Sequence, residues 1–293
     1  RTEAALGGVP TCAPPLPEQR AIANYLGRQM GAIDRLVRKK ERLIELLNEE
    51  RESLISQAVT RGLDPEAPTR DSGVEWLGEI PAHWEVRRLR NVVTMRVSNV
   101  DKHARKGETP IRLCNYVDVY KHDYIGQQID FMRSTATPEE IARFRLEEGD
   151  VLITKDSEAW DDIGVPSLVT EPAEDLISGY HLALLRPVAG VLIGSHLLRA
   201  LQSKGLAHQF HVEAKGVTRY GLSHSSIKSV WLPVPPLPEQ VAIADFLDRE
   251  TGRTDALVAK TREAIERLCE YRGSVISAAV TGQIDLRESM AAL

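Results

Sequence analysis

Pro14-Pro15-Leu16-Pro17-Glu18-Gln19 opens a segment that closes on Ala58-Val59-Thr60. Pro235-Pro236-Leu237-Pro238-Glu239-Gln240 opens a second that closes on Ala279-Val280-Thr281. The two align without a gap to Asp64 and Asp285, with roughly 28 of about 51 positions identical, far above chance for an internal repeat. Pro17 and Pro238 suit the first turn of a helix, where a missing N–H costs nothing, and Glu18 and Glu239 then face the positive end of the helix dipole. Downstream, Ile22, Leu26, Ile33, Leu36, Val37, Leu43, Ile44, Leu47, Leu54 and Ala58 recur at threes and fours. Ile243, Leu247, Leu257, Val258, Ile265, Leu268, Val275, Ile276 and Ala279 do the same in the second copy. Such stripes, sustained for about six heptads, are a coiled-coil signature. Lys40 and Thr261 interrupt the seam, and Gly62 and Gly282 punctuate the ends.

A helix of roughly 40 residues is about 60 Å long and cannot hide its stripe alone. The economical arrangement packs the two copies against each other, antiparallel, with the intervening block where the first helix ends and the second begins. The subunit-interface set is Leu26, Ile33, Leu36, Leu43, Leu47, Leu54, Leu247, Leu257, Leu268 and Val275, and periodicity leaves open whether the helices pair within the chain or across a dimer.

The block at 70–234 reads differently. A strand is expected over 86–93, another over 111–119 from its alternation, a buried strand over 151–154, and a further one over 177–185. Thr137-Pro138-Glu139-Glu140 is a capping box opening a short helix to Phe144. Residues 194–210 read as a helix with Leu197, Leu198, Leu201 and Phe210 on its apolar side, and 230–234 as a final strand. Strands mixed with short helices make this an α+β block.

Composition removes several classes. The chain has 293 residues, enough for about two domains. No apolar run approaches the roughly 18 residues of a membrane span, and no signal peptide is evident, so no membrane partner is expected. The first residue is Arg1, which suggests a fragment or a processed product. Cys12, Cys114 and Cys269 are odd in number and widely spaced, which fits free thiols in a reducing cytoplasm. There is no CxxC pair for zinc, and His208 and His211, three apart on a helix, lack a third ligand, so no metal is expected. The net charge of -5 argues against a general basic field for nucleic acid.

Catalytic signatures are missing too. Asp150 and Lys155 flank a strand as in one nuclease arrangement, but the Glu-x-Lys element is absent, with Ile153 and Thr154 before the lysine. No glycine-rich cofactor loop, adenine-gripping Asn/Asp-Pro-Pro-aromatic motif or Walker loop occurs. Catalysis is expected from partners, if at all.

In combination these residues resemble the specificity subunit of type I restriction-modification systems. The resemblance rests on the paired Pro-Pro-Leu-Pro-Glu-Gln segments with their Ile-Ser-x-Ala-Val-Thr endings, and on Asp71-Ser72-Gly73-Val74-Glu75-Trp76-Leu77-Gly78-Glu79-Ile80-Pro81-Ala82-His83-Trp84. It extends to 149–157 and to 214–223, and so covers nearly the whole chain. It implies a non-catalytic subunit whose recognition domains each read half of a bipartite double-stranded DNA site. Two helical regions act as a ruler and bind methyltransferase subunits, which use S-adenosylmethionine on adenine. Motor-nuclease subunits can join, bringing ATP and magnesium chemistry. A cytoplasmic, prokaryotic setting follows.

On this reading residues 1–13 end a preceding recognition domain and 14–64 form the first helical region. Residues 70–234 are the target recognition domain, 235–285 the second helical region and 286–293 a tail. The expected fold is α+β: a mixed α/β recognition domain flanked by two long helices in an antiparallel coiled coil. The chain departs from the family plan in having one recognition domain with both helical regions. Either an upstream half is lost or encoded separately, or the chain pairs with a second copy and reads a palindromic site. A different class of reading is a truncated scaffold that binds the methyltransferase without reading DNA.

DNA contact needs cations for phosphates and polar side chains for base edges. The 70–234 block carries slightly more acidic than basic residues, so the candidates are local. Lys215, Thr218, Arg219, Tyr220, Ser223 and His224 crowd a stretch containing Gly216 and Gly221. Lys155, Ser157 and Glu158, beside Asp156, follow a strand tip. Arg96, Lys102, Arg105 and Lys106 form a basic run between strands.

Overall fold

The computed structural model describes residues 14–284. Readings placed on 1–13, Cys12 included, and on 285–293 lie outside the described residues. Two compact units are present: residues 50–251, and the helical arms up to 49 and from 252.

Both repeats fold as helices, α1 (Leu16–Arg61) and, at the other end of the chain, a helix over Leu237–Val280. The shared proline turn acts alike in each. The Pro15 carbonyl accepts the amides of Glu18 and Gln19 at 2.9 and 3.0 Å, and the Pro236 carbonyl those of Glu239 and Gln240 at 2.9 and 3.1 Å. α1 stops at Gly62 (φ +75°), whose amide reaches the Ala58 carbonyl at 3.1 Å. A Cβ there would also meet the Trp84 ring at 3.1 Å.

In the helical unit, Ala21 and Ile33 are buried on one arm and Val258, Thr261, Val275 and Ala279 on the other. Asp34 pairs with Arg272 across it at 3.4 Å. Thr261 returns its hydroxyl to the Leu257 carbonyl at 2.8 Å, so a buried polar residue is satisfied within its own helix. The apolar stripe is wider than this seam. Leu26, Leu47 and Leu268 are half-buried, whereas Leu36, Leu43 and Leu257 are exposed. Leu36, Leu43 and Leu257 thus stand outside the seam between the two arms of one chain: threefold and fourfold spacing marks a face, and only part of it meets the other arm.

The module is larger than the expected 70–234 because the last turns of α1 and the first turns of the second repeat helix belong to its core. Leu54, Ile55, Ala58 and Val59 join Ile243 and Leu247 in one cluster with Ile80 and Trp84. The helices run antiparallel here. Gly62 and Ile243 line one small cavity, while farther along Arg51 and Asp248 meet through Asp123 and Arg199.

The chain between them begins with a hairpin, β1 (Thr69–Asp71) and β2 (Glu79–Pro81). The strand expected over 86–93 is broken by a 3₁₀ turn at 89–91, giving β3 (Glu85–Arg88) and β4 (Val93–Val97). The strand expected over 111–119 also stops early. β5 (Thr109–Cys114) gives way to helix α2 (Tyr116–Lys121), because the Asp118 carboxylate accepts the Asn115 amide at 2.8 Å and closes a helical turn. Alternation alone does not register that cap.

Next come β6 (Tyr124–Ile125), β7 (Met132–Ala136) and α3 (Pro138–Phe144), the last opened by the Thr137/Glu140 capping box. β8 (Val151–Thr154) is wholly buried, followed by β9 (Asp156–Ser157) and β10 (Pro166–Val169). The 177–185 strand divides into β11 (Leu176–Ser178) and β12 (Leu182–Pro187). The break falls at Gly179, where a side chain would press on the Cys114 carbonyl at 2.8 Å. The expected 194–210 helix is two, α4 (Gly194–Gln202) and α5 (Lys204–Glu213), split where Ser203 turns its hydroxyl back to the Ala200 carbonyl at 2.6 Å. β13 (Tyr220–Gly221), α6 (His224–Ser229) and β14 (Trp231–Val234) lead to α7, the helix over Leu237–Val280.

The central sheet has the order β4-β12-β8-β10-β6, antiparallel except for the β10–β6 pair. A second sheet runs β11-β5-β7, and β14 pairs with β3. α4 packs on β8, β10 and β12 of the central sheet and α5 on α4, α6 and β14, together contributing Leu197, Leu198, Leu201 and Phe210 to the main core.

The proline-turn repeat also fastens the module. Gln240 is fully buried. Its carbonyl accepts the Ile193 amide at 3.0 Å, and its amide donates to Val191 and Pro235 at 2.8 Å each. Glu239 takes the Trp84 indole N–H at 2.9 Å and meets the His83 ring at 2.7 Å. Gln19 stands at the same place in the first repeat, is exposed, and bonds the Pro14 carbonyl of its own turn at 2.8 Å. A second anchor is Arg199, 2% exposed, whose guanidinium donates to Asp248, Tyr124, Thr251 and Gln202. No helix among the described residues is long and apolar enough to cross a membrane.

Candidate nucleic-acid interface

Two candidate segments, 60 residues apart in sequence, form one structure. β9 and β13 pair antiparallel, Tyr220 opposite Ser157 and Gly221 opposite Asp156. The Lys215–Gly221 bridge closes a loop over 216–220, and the Leu222 amide bonds the Lys155 carbonyl at 2.8 Å. At Gly216 any Cβ would collide with the Arg219 carbonyl, so glycine is required for this closure. At its tip Val217 is 95% exposed.

Asp156 is the hub. It is buried, accepts Arg219 Nη2 at 2.7 Å and His181 Nδ1 at 2.7 Å, and has Lys155 Nζ at 3.6 Å. Burial pushes its carboxyl up, but the hydrogen bonds from His181 and Arg219 outweigh that and hold it below the ordinary carboxylate range. One carboxylate thereby collects three cationic or imidazole groups, with Arg219 still largely exposed.

Other candidates divide by what holds them. Lys215, Thr218, His224 and Glu158 are exposed. Tyr220 is half-buried against the core. Ser157 is buried, its hydroxyl accepting the Ala159 amide at 3.3 Å. Ser223 caps α6, accepting the Ser226 amide at 3.0 Å, so its hydroxyl is engaged in the fold. The 96–106 run is tied elsewhere. Arg96 donates to the Arg143 carbonyl in the last turn of α3 at 2.8 Å, and Arg105 pairs with Asp101 at 3.0 Å and bonds Thr135 on β7. Lys102 and Lys106 are exposed.

Sequence reading missed the aromatic part of this face. Tyr116 and Tyr120 stack on α2 with ring centroids 5.5 Å apart. Tyr120 donates to Asp162 at 2.7 Å, and Tyr116 interacts with Ser157. Tyr180 lies 3.7 Å from the His181 ring, and exposed Trp160 meets His211 edge-on at 6.2 Å. The i, i+4 spacing of Tyr116 and Tyr120 was the available signal, hidden by reading 111–119 as a strand.

His208 packs edge-on against Trp76 at 4.3 Å, and its ring centroid lies 6.4 Å from that of His211. Among the described residues no group of three His, Cys, Asp or Glu is placed to hold a metal.

Comparison with known proteins places these features in context. The profile of the type I restriction modification DNA specificity domain matches residues 81–267. A provisionally named MjaX type I restriction enzyme specificity subunit from Methanocaldococcus jannaschii is 28% identical over 197 residues, covering 66% of this chain and 44% of that protein. The EcoBI type I restriction enzyme specificity subunit of Escherichia coli is 22% identical over 287 residues, covering 92% of this chain and 57% of its own. A solved chain from work on complex assembly and conformational transition of the type I R-M system superposes with a TM-score of 0.66 at 19% identity, over 91% of this chain and 60% of that one. The chain spans about half the length of the curated relatives it matches.

Proposed function

The chain belongs to the family of type I restriction-modification DNA specificity domains, and from that premise we propose that it is the DNA-reading part of a type I specificity subunit. Its module reads one half of a bipartite double-stranded site. The observation that carries this is the β9–β13 ladder, which joins Lys155 and Arg219 through Asp156 on one exposed face. A net charge of -5 concentrates the argument on that face, because the chain has no general basic field to bind phosphates elsewhere.

The chemistry belongs to partners. A methyltransferase subunit binds the helical regions and modifies adenine with S-adenosylmethionine. A motor-nuclease subunit joins for restriction, using ATP and magnesium. This chain contributes recognition and spacing, in the cytoplasm of a prokaryote. A second recognition half completes the site, supplied by a second copy of this chain or by a polypeptide segment carrying a different recognition domain. The reading of a scaffold without DNA recognition is disfavoured by the intact ladder.

The test is a map of adenine methylation in cells expressing this chain with its methyltransferase subunit, against the same cells without it. A motif that needs the chain is expected. A palindromic motif would indicate two copies, and an asymmetric one a distinct second half. No chain-dependent methylation, with both proteins associated, would overturn the proposal.

A further inference from the structure

The Asp156 hub explains cations, and cations reach phosphates, which carry no sequence. Base edges are read by neutral polar and apolar groups held in fixed positions. Such groups lie beside the hub, on α2. This two-turn helix buries Val119 and turns Val117 and Tyr120 outward, 52% and 42% exposed. It is fixed at several points. Asp118 closes its first turn, Tyr116 stacks on Tyr120 and interacts with Ser157 of β9, and Tyr120 is tied to Asp162. Aromatic residues make up 5% of the chain, yet Tyr116 stacks on the exposed Tyr120, exposed Tyr180 lies against the His181 of the hub, and exposed Trp160 and Val217 lie just after β9 and just before β13. An exposed apolar cluster of this kind marks a binding surface, and the adjoining Lys155, Lys215 and Arg219 select a polyanion as its occupant.

We propose that α2 is the base-reading element of the module, with Tyr120 and Val117 touching base edges while Lys155, Lys215 and Arg219 hold the flanking phosphates. The assignment rests on the DNA-reading function above. Tyr120 gives its proton to Asp162, so its oxygen keeps lone pairs for an exocyclic amine, that of cytosine or adenine. Val117 offers methyl groups to the thymine methyl. The half-site is therefore expected to contain an amino-bearing base next to a thymine along the path of α2.

The experiment compares methylation motifs and relative site rates for the wild-type chain, Tyr120→Phe, Val117→Ala and Arg219→Ala, each expressed with the methyltransferase subunit. Tyr120→Phe keeps the ring and removes only the phenol. It should relax one motif position by about 10-fold, the size of one good base contact. Val117→Ala should relax a neighbouring thymine. Arg219→Ala should slow all sites together and leave the motif unchanged. Selection of bound sequences from a randomised duplex by the purified complexes gives the same comparison if a variant binds without methylating. An unchanged motif in both α2 variants, or a uniform slowing in both, would overturn the assignment and leave the wild-type motif standing. Loss of methylation by the wild type itself would instead remove the function on which it rests.

Discussion

Asp156 and His196 show how single side chains in this module answer to their surroundings. Asp156→Asn leaves Arg219 and His181 without their shared anion. The expected result is a loss of about 1–2 kcal/mol in denaturant unfolding, together with slower chain-dependent methylation at an unchanged motif. His196 is fully buried with neither ring nitrogen in full hydrogen-bond geometry, although the Pro233 carbonyl lies toward it. Burial lowers its pKa from 6.5 to about 4. Above pH 6.5 the ring is neutral in both folded and unfolded chains. Between 6.5 and 4 the unfolded chain takes the proton and the folded one does not, so stability falls as pH falls, by about 3 kcal/mol over the window. Urea titrations at pH 7.5 and 4.5 should show most of that loss, and His196→Leu should flatten it. Neither residue's role was legible in the sequence. Asp156 drew attention only as a neighbour of Lys155, because its partners His181 and Arg219 lie 25 and 63 positions away.

Among the elements, the proline-turn repeat was the most legible. Its helical period, Pro17 and Pro238 at the helix start and Gly62 at the end of α1 are local signals, and the chain obeys them. The Thr137 capping box was legible for the same reason. The 111–119 reading failed because Asn115 and Asp118 make a cap that interrupts an alternating pattern, and with α2 went the two stacked tyrosines beside the Asp156 hub. Identity in sequence also hid a difference in environment. Gln240 is buried with three bonds, and Gln19, its copy, is exposed with one. Gln240→Ala should cost about 2–3 kcal/mol, because a buried amide N–H and two carbonyls lose their partner. Gln19→Ala should stay within about 0.5 kcal/mol. Guanidinium unfolding of the two variants measures the contrast.

For the molecule as a whole, charge and connectivity set the terms. If Lys155, Lys215 and Arg219 each meet one phosphate, log affinity against log salt should fall with a slope of about -3, and Arg219→Ala should reduce its size by about 1. Fluorescence anisotropy with a labelled duplex across a salt series reads both. Connectivity acts on a different property. Gly62 and Ile243 lie at one cavity although roughly 175 residues of chain separate the two helices there, and closing a flexible loop of that length costs about 4–5 kcal/mol. Pairing of the strands between them shortens the loop that remains to be closed and lowers that cost. The expected order of events is that the sheet forms, Trp84 and the 188–193 turn come into place, and Glu239 and Gln240 then find their partners. Seen in time rather than in space, the buried glutamine is a late checkpoint. The ends of α1 and α7 are expected to close together last, on a module that has already folded.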